Sequence, residues 1–113
     1  MKLLDIEKQV IRQYLITKRA SKNVVDEFFL SVNVKNREFS GVGFMSYLCT
    51  ESAPVIDVEL NSFNWGKVGI KINNSIDTGY LLYIEGGYIT AIEGYTYDEE
   101  WPKSVTKIEL YEL

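Results

Sequence analysis

Residues 80–95, "YLLYIEGGYITAIEGY", restrict the possible folds more than any other stretch of the chain. Gly86 and Gly87 lie between two runs rich in β-branched and aromatic residues. A two-residue hairpin turn needs positive φ at its centre, which glycine adopts without steric penalty. The stretch therefore predicts two antiparallel strands paired symmetrically about the turn. Glu85 then faces Tyr88, Ile84 faces Ile89, Leu82 faces Ala91 and Glu93 faces Tyr80.

A period of two recurs on either side. "VGFMSYLC" (42–49) alternates Val42, Phe44, Ser46 and Leu48 with Gly43, Met45, Tyr47 and Cys49. "VIDVEL" (55–60) and "VGIKI" (68–72) alternate in the same way, and "SVTKIELYEL" (104–113) sets Thr106, Ile108 and Leu110 against Lys107, Glu109 and Tyr111. Such alternation marks strands with one face on a core and one in water. The stretches between them, "ESAP", "NSFNWG", "NNSIDTG" and "DEEWPK", are short and rich in turn residues.

Only the N-terminal part breaks this rhythm. Residues 5–19 place Ile6, Val10, Ile11, Tyr14 and Leu15 on one helical face. Asp5 is the expected N-cap and Glu7 suits the positive end of the helix dipole, with Lys18 and Arg19 at the other end. Residues 24–34 read as a turn of helix running into a strand near 29–35. The expected fold is α+β in a single domain, 1–113. An N-terminal helix packs on a predominantly antiparallel sheet of about six strands.

Composition narrows the chemistry. The chain has no histidine, which removes His triads, His acid–base catalysis and His metal sites. Cys49 is the single cysteine; it has no histidine to activate it, forms no internal disulfide, and is expected as a small core residue. "GVGF" (41–44) has no following helix, so Gly41 and Gly43 read as a bulge or a close crossing of strands. Arg37 reads as one half of a structural ion pair or clamp. No run reaches the roughly 18 apolar residues of a membrane span. The start "MKLLDIEKQVIRQ" is broken by Asp5 and Glu7, unlike a secretion signal. A cytoplasmic location is the expectation.

The net charge of −4 is unevenly spread. Residues 1–37 hold eight Lys/Arg and four Asp/Glu, a balance of +4, and residues 38–113 hold four and twelve, a balance of −8. An acidic surface of that kind repels phosphates and suits a basic protein. The richest cluster is "AIEGYTYDEEWP" (91–102). Glu93, Asp98, Glu99 and Glu100 supply charge, and Tyr95, Tyr97 and Trp101 supply stiff aromatic area of the kind that dominates interfaces. These seven are the candidate partner-binding residues. The competing reading folds Trp101 inward as a cap on the core and leaves the carboxylates solvated. No catalytic residue, cofactor or metal ligand set is assigned.

Three blocks carry a resemblance. "REFSGVGF" (37–44), "GYLLYIEGGYITAIEGYTYDEEWP" (79–102) and "KIELYEL" (107–113) resemble a family of small bacterial proteins, over about the last two thirds of the chain. In that family threonine often stands at the Ser40 position. Small acidic domains of this kind resemble immunity proteins, as in contact-dependent growth inhibition. The resemblance implies a non-enzymatic inhibitor that occludes the active site of a cognate toxin, for instance a nuclease. A structural or homodimeric binding module, and then a small enzyme working with carboxylates alone, are the alternatives.

Overall fold

The computed structural model describes residues 1–51, 53–56 and 62–113. The strand expected over 55–60 falls largely on the remainder and so lies outside the described residues.

Helix α1 (Asp5–Thr17) buries Ile6, Val10, Ile11, Tyr14 and Leu15, the stripe its periodicity predicts. Each aliphatic side chain so buried contributes about 1.5–3 kcal/mol. Asp5 is not the cap. Leu4 holds that position, and its N–H donates to Glu7 Oε1 at 2.7 Å. The helix stops at Thr17 rather than at 19, because Arg19 turns left-handed with φ 55°. Ala20 N–H then donates to Leu15 O and Arg19 N–H to Ile16 O, satisfying two otherwise orphaned carbonyls.

Helix α2 (Lys22–Ser31) replaces the expected single turn. Ser21 starts it by accepting from Val24 N–H, and Phe28 anchors it in the core. The aromatic, β-branched content of "FFLSVNV" favours a strand locally, but the cap and the buried Phe28 outweigh that preference.

The sheet has seven strands among the described residues: β1 (Val34–Ser40), β2 (Gly43–Leu48), β3 (Phe63–Trp65), β4 (Val68–Ile72), β5 (Ile76–Glu85), β6 (Tyr88–Thr96) and β7 (Ile108–Glu112). The order is β1-β2-β6-β5-β4-β7, every pair is antiparallel, and β3 pairs with β5 beyond β4. Residues 63–65 and 76–79, expected as connections, are thus strand. The last strand starts at Ile108 rather than 104.

One face of the sheet is closed. Phe44, Leu48, Ile70, Ile72, Tyr80, Leu82, Ile84 and Ile92 join the helical stripe in one core. Arg37, inward-facing on β1, bridges to Glu7 of α1 at 2.6 Å, with the Glu7 side chain fully buried and that of Arg37 9% exposed. The expected ion pair is therefore a tie between helix and sheet. Cys49 is half-buried and stands outside the core, contrary to expectation. Gly43 is a close crossing: a Cβ there would stand 2.0 Å from the carbonyl oxygen of Gly94.

The central hairpin departs from its symmetric register. Glu85 faces Tyr88 and Ile84 faces Ile89 as expected, but Tyr83 faces Ala91, Leu82 faces Ile92 and Leu81 faces Glu93. Thr90 is the extra residue of a β-bulge, and its hydroxyl donates to Tyr83 O. A one-residue shift of register exchanges the two faces of a strand. Beyond the bulge, Ile92 enters the core and Glu93 and Tyr95 turn to the opposite side.

Candidate functional site

Strands β2, β6, β5 and β4 alternate, so each buried residue on the core face has an outward neighbour. The outward set includes Met45, Tyr47, Leu81, Tyr83, Glu93, Tyr95 and Asp77, joined by Tyr111 of β7 opposite Gly69. The buried residues of both helices belong to the core on the other side.

Two tyrosines lie flat on this outer face because glycines leave them room. A Cβ on Gly79 would fall 2.6 Å from the Tyr95 ring, and a Cβ on Gly69 would fall 2.7 Å from the Tyr111 ring. Their cross-strand pairings, Gly79 with Tyr95 and Gly69 with Tyr111, set each ring over its glycine. The Tyr97 ring meets that of Tyr95 edge-on at 5.7 Å. Glu93-Gly94-Tyr95 thus has a structural logic. Glu93 and Tyr95 face outward, and Gly94 faces inward where a Cβ would collide with the Phe44 ring at 2.5 Å.

Hydroxyl groups hold the carboxylates of this face. Tyr83 Oη donates to Glu93 Oε1 at 2.8 Å, and Tyr111 Oη donates to Asp77 Oδ1 at 3.1 Å. Bonding to Glu93 raises the pKa of Tyr83, with partial desolvation adding to it. Desolvation first, and then the bond to Asp77, raises that of Tyr111. Desolvation raises that of Tyr95. Tyr83 and Tyr111 therefore stay neutral donors through the physiological range.

The seven candidate residues do not form one surface. Glu93, Tyr95 and Tyr97 are on the outer face. Asp98, Glu99 and Glu100 are exposed on the rim where the chain leaves β6. Trp101 has passed to the core side, half-buried, with its ring edge-on to Phe44 at 5.2 Å. The inward reading of Trp101 is the one observed. A cavity of about 290 Å³ between Trp101, Leu4, Val105 and Ile108 leaves the rest of the ring accessible. Two hydrogen bonds hold the rim: Trp101 N–H donates to Gly41 O at 2.9 Å, and the Thr96 hydroxyl donates to Glu99 O. Among the described residues no group of three or more Asp, Glu or Cys converges as a metal site.

Tyr47, Tyr83, Tyr111 and Asp77 were not among the candidates. The signal for them was present, since each tyrosine is an outward position in an alternating strand. Glu85, the other acid of the hairpin, is exposed at the turn, away from Glu93. Comparison with protein-family models, curated proteins and solved structures finds no significant match.

Proposed function

We propose that the chain is a cytoplasmic immunity protein, binding a basic toxin domain and covering its active site. The observation that supports this reading is the fixed acidic rim beside the tyrosines. Trp101 ties one end of the rim into the core and Thr96 the other, so Asp98, Glu99 and Glu100 are presented without the chain having to be ordered on binding. Preorganisation of that kind lowers the entropic cost of association. A row of carboxylates complements the Lys/Arg surface with which a nuclease holds phosphates.

The test is neutralisation of the cognate toxin, with and without charge reversal at Asp98, Glu99 and Glu100. Association should slow about tenfold or more, and the loss should shrink at high salt. Unchanged association after reversal would remove the rim from the interface.

A second reading, self-association along edge strand β1, is favoured by Phe39 on that strand and Val42 in the turn after it, 67% and 54% exposed. Sheet edges template strand addition. Sedimentation across a concentration series distinguishes it, since a monomer throughout would count against it.

A further inference from the structure

The immunity reading rests on charge at the rim, but the larger surface beside it has a different chemistry. Tyr83, Tyr95, Tyr97 and Tyr111 occupy the open face of the sheet, and two of them lie flat over glycines. Glu93 and Asp77 stand among them. Each carboxylate has one oxygen held by a tyrosine hydroxyl. Among the described residues, the other oxygen of each, Oε2 of Glu93 and Oδ2 of Asp77, has no side-chain or backbone donor.

A flat ring beside an acceptor oxygen matches one side chain better than any other. The arginine guanidinium is planar, stacks on aromatic faces and donates in the plane of its fork to a carboxylate. Lysine offers a strongly hydrated point charge and no plane. The rings could equally stack on nucleic acid bases. Against that, Glu93 and Asp77 would oppose the phosphates. Lys71, which lies 4.0 Å from Asp77 Oδ1, is already engaged there.

We infer that the outer face of the sheet is an arginine-reading surface. Arginines of a basic protein partner stack on Tyr95, Tyr97 and Tyr111 and take the open oxygens of Glu93 and Asp77. This deepens the immunity reading and rests on it for the identity of the partner. The rim then steers the partner by long-range charge, and the tyrosine face reads its side chains at contact.

The experiment uses octa-arginine and octa-lysine as probes at 0.15 M salt, with NMR mapping on the unaltered protein. The expected result is about tenfold tighter binding of the arginine peptide, with shifts of the Tyr95, Tyr97 and Tyr111 ring resonances. The double variant Tyr95→Leu, Tyr97→Leu should abolish that preference. Equal affinity for the two peptides, lost only with Asp98→Asn, Glu99→Gln, Glu100→Gln, would overturn the inference and leave the rim reading intact. Binding of neither peptide, or binding of oligothymidylate to the rings, would overturn the inference outright. The mapping on unaltered protein decides the matter if the double variant does not fold.

Discussion

The two faces of this sheet are made by alternate residues of the same strands, yet they solve different problems. The inner face fills volume. Ile70, Ile72, Leu82, Ile84 and Ile92 interlock with α1, and the charge allowed there is matched by an opposite charge from the helix. The outer face keeps area open. It carries rings that lie down on glycines and carboxylates held by hydroxyls. The contrast teaches that tyrosine has two roles in one small domain. Tyr80 is a core residue whose hydroxyl meets Thr78 Oγ1 at 2.8 Å, and since the Thr78 proton goes to Ile70 O, Tyr80 must be the donor. Tyr95 is a platform.

The largest effect should come from breaking the Arg37–Glu7 ion pair of the inner face. Arg37→Ala leaves Glu7 buried without a counter-charge, and Glu7 Oε2 already has no hydrogen-bond partner among the described residues. A loss of about 3–5 kcal/mol is expected by urea denaturation. Replacing both, with Arg37→Met and Glu7→Leu, should recover most of it. A loss under about 1 kcal/mol for Arg37→Ala would mean that the pair is not sealed from solvent.

Next is the contact between β2 and β6 on which both faces depend. Gly43→Ala forces a methyl onto the Gly94 carbonyl and should cost about 1–3 kcal/mol. Gly41→Ala, two residues away, meets nothing within 4 Å and should change stability little. Equal melting temperatures for the two variants would contradict the close crossing.

Alkaline pH should separate the two kinds of tyrosine. Burial raises the pKa of Tyr80 well above the usual range, and smaller causes raise those of Tyr83, Tyr95 and Tyr111. A raised folded-state pKa means that the unfolded chain releases protons first. Stability is then flat below about pH 10 and falls as pH rises beyond it, at about 1.4 kcal/mol per pH unit for each fully protected tyrosine. Phenolate absorbance should show the outer tyrosines titrating while the protein is still folded, and Tyr80 only as it unfolds. Tyr80→Phe should flatten the slope, and no decline through pH 11 would refute the assignment.

The smallest effect lies off both faces and is a control on the comparison. Arg19 is left-handed at the end of α1. Arg19→Gly should therefore stabilise by roughly 1 kcal/mol in thermal denaturation without altering peptide binding.

Much of this was determined by sequence alone. Alternation in 42–49 and 68–72 matches β2 and β4 to within a residue at either end, and Gly86-Gly87 places the turn with φ 58° and 87°. The stripe of α1 was equally legible, because these patterns are local and follow from backbone geometry. Even the bulge left a trace: Ile89 and Ile92 are three apart, so both can reach the core only if a residue is inserted between them.

Tertiary structure decided the rest. Glu7 suits a helix dipole until Arg37, distant in the chain, is brought beneath it. Pairing of β3 with β5 depends on a sheet edge left open by β4, which no short window contains. Tyr97 and Trp101 are separated by only Asp98, Glu99 and Glu100 but lie on opposite sides of the sheet, because that segment wraps its end. The outer tyrosine face was hidden for the same reason. It is assembled from outward residues of β4, β5, β6 and β7, and only hydrogen-bonded register places those side by side.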